Sequence, residues 1–500
     1  MSMKYRFLLF AISLLMVFGT SMAQDKSAQV IPLRVKDSKE QIIKRLDIVV
    51  PRLLEVGLVP GLSIAIVQKG ELVWHKGYGV KNAQTKEPVV ANTVFEAASL
   101  SKPVFAYAVL KLVDEGKLDL DTPLTKYLPG NYDVGDDARL NQITARHVLS
   151  HRPGFPNWRR PNNPLTIHFT PGERFSYSGE GFVYLSKVVE KITGEQFNDF
   201  MKRSVFVPLG MTDSSYVWQE SYAVQHIFSH SQAGLVTGQN KSTRPNAAAS
   251  LRTTAQDFGR FLAAIAKGTG LKHATWRQML TPQIKVSQSG TNNISGPPEK
   301  LSESISWGLG WGLQTTDDGL AYWHWGDNGN TKAYVLVYDK QQFGLVVFTN
   351  GANGLKIVPE IVSEALGGQQ PALAWLKYGS YNSPDLLLFK SILAKGAPIV
   401  LTEYRETRKG RAANEVLDEN QMNRLGYDLM AAGRIKDAIE IFKLNVEDYP
   451  KSSNVYDSLA EAYARDGQKE LAVRNYQRSI ELDPKNTNAV DALKKLQENL

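Results

Sequence analysis

The chain is 500 residues long and 43% apolar, with 58 Lys and Arg against 50 Asp and Glu and no cysteine. That length exceeds one ordinary hydrophobic core, so two or more domains are expected. The net charge of +8 is spread without a long basic block and gives no basis for nucleic-acid binding, while the lack of cysteine excludes disulfides, thiolate metal sites and a thiol nucleophile.

In chain order, residues 1–23 read as a secretory signal: Lys4 and Arg6 precede the run FLLFAISLLMVF, and small residues close at Ala23. The run is shorter than the roughly 20 residues that span a bilayer. No cysteine follows to carry a lipid, so the mature protein is expected to be periplasmic or secreted, with no membrane anchor. Residues 24–37 form a polar lead-in. KEQIIKRLDIVVPRLLEVG has the pattern of an amphipathic helix ended by Gly57, and GLSIAIVQKGELVWHKGYGVKN that of two strands around a turn at Gly70. A further amphipathic helix is expected after Ser99, with Val104, Ala108, Leu112 and Val113 at helical spacing, Pro103 in the first turn and a stop at Gly116. Residues 120 to 300 are punctuated by Pro and Gly, with helical stretches such as GFVYLSKVVEKITG and TAQDFGRFLAAIAKG. Strand signals return in SWGLGWGLQT, LAYWHWG, KAYVLVYDK and FGLVVFTN. Strands early and late with helices between imply one sheet fed from both ends of the domain and packed by helices.

The end of the chain repeats itself. Gly433, Ala438, Phe442 and Pro450 recur 34 residues later as Gly467, Ala472, Tyr476 and Pro484. That period and set of positions resemble tetratricopeptide repeats, with two repeats and a terminal helix. Because about three repeats are needed for a continuous core, this module is expected to lean on helices from residue 384 onward or on the domain before it. The expected organisation is a hydrolase domain over 38–370, a helical connector over 371–415 and a repeat module over 416–500.

Chemistry is concentrated in three places. Ser99 precedes Lys102 by three residues at a helix start, a spacing that brings an amine to a hydroxyl. Tyr177 sits in a Pro-, Gly- and Ser-rich turn just ahead of a helix, and His324 and Gly326 end a late strand. A serine nucleophile needs a base, an acid for the leaving group and donors for the oxyanion. In Ser99-x-x-Lys102, the Tyr177 loop and His324-Trp325-Gly326, with HVLSHRPGF and TPGERFSYSGEGF around them, the sequence resembles the serine β-lactamase, penicillin-binding and esterase superfamily, nearest its class C-like branch. The resemblance covers roughly residues 39 to 367. It implies an α/β, β-lactamase/transpeptidase-like fold, an antiparallel sheet flanked by helices, followed here by the α-helical repeat module.

The resemblance further implies that Ser99 is the nucleophile, Lys102 its neighbouring base or proton relay, and Tyr177 a second base and then the acid. The backbone N–H groups of Ser99 and Asp327 would form the oxyanion hole, and Gly326 would keep the strand open to substrate. His324, Trp325, Gly326 and Asp327 are the expected substrate-binding residues. A clustered Lys102 would favour the ionised form of the tyrosine, and a charged His324 would lose its proton near pH 6.5. Two departures bear on substrate. Gly179 replaces the asparagine that often ends the tyrosine motif, and Trp325 replaces a small hydroxyl residue. Both disfavour a β-lactam or a D-alanyl-D-alanine terminus and favour an ester or a differently shaped amide.

Other groupings carry less. His147 and His151 lie four apart but lack a third metal ligand at suitable spacing, and the acid pairs Asp114–Glu115 and Asp136–Asp137 read as solvated faces. Tyr322, Trp323 and Trp325 are expected to be half core and half pocket wall by strand alternation. The expectation is thus an exported serine hydrolase acting through an acyl-enzyme on Ser99, without metal or cofactor, on a small-molecule ester, amide or peptide. The alternatives are a D-Ala-D-Ala peptidase or β-lactamase, and a non-catalytic scaffold that recruits a protein partner through the repeats.

Overall fold

The computed structural model describes residues 31–160, 163–409 and 416–498. The expected signal segment, and the lead-in up to residue 30, lie outside the described residues. Among those described, no helix is long and apolar enough to cross a membrane.

Twelve strands are described. β1 (Gly61–Gln68) and β2 (Glu71–Gly79) form the expected hairpin about Gly70. β3 (Phe95–Ala98), β4 (Ser229–His230), β5 (Val236–Gly238) and β6 (Leu251–Thr253) are short and lie outside the main sheet. β7 (Ile284–Ser287), β8 (Leu301–Trp307), β9 (Gly312–Thr316), β10 (Gly319–Asp327), β11 (Lys332–Tyr338) and β12 (Phe343–Thr349) complete it. The eight-stranded sheet runs β2-β1-β12-β11-β10-β9-β8-β7, and every neighbouring pair is antiparallel. β1 therefore pairs directly with the last strand, and the two ends of the domain meet in one sheet.

Both faces of that sheet are covered, so β11 and β12 are buried throughout rather than on alternate residues. Ile64, Ile66, Leu336 and Val347 face one core with the helices Lys39–Gly57 and Gly354–Ala365. Ala65, Val67, Val335 and Val346 face the other, with the helices Ser101–Asp114 and Ala255–Lys267. The helix after Ser99 is not amphipathic as expected. Ser101 through Leu110 are all buried, because the helix runs through the middle of the helical half. Its end matches expectation, with Gly116 left-handed at φ 69°.

The stretch SWGLGWGLQT is not one strand but the end of β8, a loop and the start of β9. Gly310, at φ 84°, is where the chain turns against the central helix, and a Cβ there would lie 2.3 Å from that of Ala106. At Gly308 a Cβ would lie 2.4 Å from the Met279 carbonyl oxygen, so neither glycine of this break has room for a side chain.

Beyond the sheet, the connector holds helices Pro371–Leu376, Pro384–Lys395 and Ala397–Thr407. Five helices follow: Glu419–Ala431, Ile435–Asp448, Ser453–Arg465, Lys469–Leu482 and Thr487–Glu498. Gly433 and Gly467 turn the chain in left-handed conformations between successive helices. Ala438, Phe442, Ala472 and Tyr476 are buried in one core with Leu386, Phe389, Ile392 and Val400 of the connector. The helical module therefore rests on the connector helices, which supply the apolar surface that two repeats alone lack.

Gly310→Val combines a left-handed φ with a clash in a packed core. It is expected to destabilise the protein by about 3 kcal/mol, read as a lower urea midpoint at unchanged slope; an unchanged midpoint would contradict the close approach.

Candidate active site

β3 ends at Ala98, whose φ of 49° is left-handed for a residue with a side chain. The strain is held by Ser101: its Oγ donates to the Ala98 carbonyl at 2.6 Å and accepts the Leu251 N–H at 2.9 Å, tying the turn to β6. Ser99 therefore lies in a fixed turn two residues before the helix, not within its first turn. Its carbonyl accepts the Lys102 N–H at 3.0 Å, while its own N–H has no acceptor among the described residues.

Lys102 is fully buried. Its Nζ lies 3.0 Å from Ser99 Oγ and donates to the Ala248 carbonyl at 2.9 Å. It sits 4.6 Å from the centre of the Tyr177 ring and 5.8 Å from that of Phe182. Burial alone pushes its pKa well below the ordinary lysine value, so the amine is held toward its neutral form.

Tyr177 is pinned through its backbone, its N–H bonding the Thr291 carbonyl at 2.9 Å. The next residue, Ser178, caps the helix Gly179–Thr193 by accepting the Gly181 N–H at 3.0 Å. The Tyr177 ring packs on Trp325 at 4.8 Å and His151 at 4.2 Å. Burial raises its pKa, and its buried hydroxyl has no hydrogen-bond partner among the described residues. The expectation that Lys102 favours an ionised tyrosine is therefore corrected: desolvation is the largest cause acting on the phenol and keeps it protonated.

The third element follows from register. β9 pairs with β10 only from Gly319 to Trp323, so residues 324–327 are paired with β11 on one side alone. Gly326 faces the nucleophile turn, and a Cβ there would lie 2.5 Å from the Ala97 carbonyl oxygen and 3.2 Å from Ala98 Cβ. Glycine here first permits the approach of the strand carrying Ser99.

His324 is fully buried, with Nδ1 2.7 Å from the Trp325 carbonyl and Nε2 without a partner. Burial, reinforced by Lys102, pushes its pKa down to about 3. The expected charge change near pH 6.5 is thus corrected, since the imidazole stays neutral through the physiological range. Tyr322 faces one core and Trp323 and Trp325 the other. All three are buried, and of the three Trp325 alone packs on Tyr177. The Asp327 carboxylate is not free for substrate: it is engaged by Lys332 and accepts the Tyr378 hydroxyl at 2.8 Å.

Several site residues carry no clear sequence signal. Ala248 acts through its carbonyl, which no side-chain pattern reveals. His151, weighed only as a metal ligand, stacks on Tyr177 and accepts the Ser178 N–H on Nδ1 at 3.0 Å. At Gly179, a Cβ would lie 3.0 Å from Asn157 Oδ1 and 2.8 Å from the Trp158 ring, so a neighbouring loop fills the space beside the tyrosine motif. Asn157 Oδ1 accepts the Gly179 N–H at 3.1 Å.

The chain is similar to known proteins. A family model described as Beta-lactamase fits residues 48–361. Protein flp of Staphylococcus aureus strain MRSA252 is 24% identical over 339 residues, 63% of this chain and 63% of its own length. Penicillin-binding protein 4* of Bacillus subtilis strain 168 is 24% identical over 292 residues, 51% of this chain and 60% of its own length. The chain thus spans less than two thirds of the length of these curated relatives. Among solved structures, D-alanine carboxypeptidase AmpC from Burkholderia cenocepacia superposes with a TM-score of 0.53 at 19% identity, covering 65% of this chain and 99% of that one. A penicillin-binding protein homologue from Pyrococcus abyssi gives 0.52 at 22% identity, covering 71% and 81%. The structural matches bear on fold.

The buried histidines make a pH prediction. Burial lowers His226 to about 4 and His324 to about 3, against about 6.5 in an unfolded chain. Below pH 6.5 the unfolded state binds protons that the folded state refuses, so stability is complete above that pH and falls as pH drops toward the folded values. Each is expected to cost about 2 kcal/mol at pH 5. Urea unfolding at pH 7.5 and 5.0 measures the sum, and His226→Gln should remove part of the difference; equal stability at both pH values would contradict these charge states.

Proposed function

The chain belongs to the beta-lactamase family of serine hydrolases, and from that premise we propose that it is an exported hydrolase forming an acyl-enzyme on Ser99. The observation that carries this reading is Lys102, buried and depressed in pKa with its Nζ 3.0 Å from Ser99 Oγ. A neutral amine accepts the serine proton, and the alkoxide attacks the substrate carbonyl. The N–H groups of Ser99 and Asp327 receive the oxyanion. Tyr177, held protonated by burial, hands its proton to the leaving oxygen, and Lys102 passes the proton it took to the Tyr177 oxygen. The acyl carbon–oxygen bond to the leaving group breaks. Water then repeats the cycle in reverse order and frees Ser99.

Substrate preference follows from the walls. A neutral His324, the Trp325 ring and an Asp327 carboxylate already paired with Lys332 offer no positive charge of their own to a substrate carboxylate, and an unpaired carboxylate is costly to bury. Gly179 removes the amide that would hold an acylamino group, and the space is taken by Asn157 and Trp158. Neutral short-chain esters therefore suit the site better than penicillins or D-alanyl-D-alanine peptides. The C-terminal helices are read as tetratricopeptide repeats that dock a protein partner.

Ser99→Ala is expected to lower ester hydrolysis by several orders of magnitude in a folded protein, and Tyr177→Phe by roughly 10²- to 10⁴-fold. For the wild type, kcat/KM on p-nitrophenyl butyrate should exceed that on penicillin or a D-alanyl-D-alanine peptide, with Trp325→Thr narrowing the gap. Turnover by the Ser99→Ala protein near the wild-type rate would refute the nucleophile, and efficient penicillin or D-alanyl-D-alanine cleavage would replace the ester reading.

A further inference from the structure

The residue after Gly326 is an aspartate, and its amide is the proposed second oxyanion donor. A carboxylate attached to that residue is a hazard, because a negative charge beside a developing oxyanion opposes the reaction. Strand alternation places Asp327 on the Trp325 face of β10, away from the face that Gly326 turns toward Ser99. Three groups hold it there. Oδ1 is engaged by Lys332 and accepts the Gly329 N–H at 2.8 Å, and Oδ2 accepts the Tyr378 hydroxyl at 2.8 Å.

Tyr378 comes from the connector, beyond the family match that ends at residue 361. Burial, followed by the Asp327 charge, keeps its hydroxyl protonated. The segment that carries it is anchored on both sides. Trp375 Nε1 donates to the Ser287 carbonyl at 2.6 Å, and its ring packs 5.9 Å from Trp323 and 6.3 Å from Phe175. Lys377 is left-handed at φ 57° and its Nζ reaches the Ser289 carbonyl at 3.1 Å. Downstream, the Tyr381 N–H bonds the Lys356 carbonyl at 3.2 Å. A bent, doubly anchored segment thus delivers one phenol to the end of the strand that borders Ser99.

We propose that Tyr378 is a positioning residue of the catalytic centre: by fixing the Asp327 carboxylate on the outer face of β10, it orients the Asp327 amide toward the oxyanion and makes the C-terminal connector part of the active site. The proposal rests on the acyl-enzyme reading above. Because the oxyanion forms only in the reaction, loss of the phenol acts on kcat more than on KM. Removal of the carboxylate removes the need for the clamp, so Asp327→Asn should make the phenol dispensable.

The test is a double-mutant cycle in the full chain with Tyr378→Phe, Asp327→Asn and both together. Rates on p-nitrophenyl butyrate are normalised to sites titrated with a fluorophosphonate, so that misfolded protein is not counted. Tyr378→Phe is expected to lower kcat about tenfold with KM within about twofold, less than the loss of a whole oxyanion donor. In the Asp327→Asn background the same change should alter kcat by less than about twofold. A wild-type kcat per titrated site in Tyr378→Phe, or an equal loss in both backgrounds, overturns the clamp while leaving the hydrolase reading intact. A wild type that neither turns over the ester nor labels on Ser99 overturns both.

Discussion

A lysine amine enclosed by protein with no carboxylate beside it is the constraint on which the rest of this site depends. The Lys102 side chain has no contact with water, and desolvation is the cause acting on its charge. Keeping an ammonium there is costly, so burial shifts the amine toward its neutral form, and the fold gives it two polar neighbours, Ser99 Oγ and the Ala248 carbonyl. The remaining arrangements follow. Ser99 must be delivered in a rigid turn, which the Ser101 hydroxyl secures. A second aromatic wall must exclude water, which Tyr177, Phe182 and His151 supply. The nearby imidazoles must also be neutral, and burial makes them so.

The sheet turns that local requirement into an accessible site. Its eight strands are closed between two helical layers, and a packed core alone would leave no room for a substrate. The short pairing of β9 to β10 opens one edge over four residues, at the point where β3 brings the Ser99 turn within contact of Gly326. Catalytic geometry and strand register are one feature seen at two scales. The connector then closes the outer face of that edge through Trp375 and Tyr378, so the helical module is joined to the strand that borders Ser99.

Much of this was legible in the sequence because it rests on side chains at short spacing. Ser99 and Lys102 stand three apart, Tyr177 precedes a cap and helix of its own, and the β1–β2 hairpin announces itself at Gly70. The long apolar strands also read correctly, since burial on both faces leaves continuous Val, Ile and Leu. What stayed hidden depends on long-range packing. The pattern of Val104, Ala108 and Leu112 shows a helix but not that every side of it is enclosed. The charge states of His324 and Tyr177 are set by burial that only the tertiary fold creates. Ala248 contributes a carbonyl that no side chain marks, and Tyr378 reaches Asp327 across 51 residues of sequence. The break at Gly308 and Gly310 within the strand signals of SWGLGWGLQT was hidden for the same reason, because the Met279 carbonyl lies against the first glycine and Ala106 of the central helix against the second.

The central claim is that a neutral, buried Lys102 activates Ser99, and the pH dependence of Ser99 phosphonylation tests it most directly. A fluorophosphonate would be reacted with the full chain across pH 4 to 11, and the adduct located by peptide mass spectrometry. The account predicts modification on Ser99 at a rate that rises with a midpoint well below the ordinary lysine value of about 10.4 and is already near its plateau at neutral pH. A rate that climbs only through the ordinary lysine range, or an adduct on another residue, would contradict it.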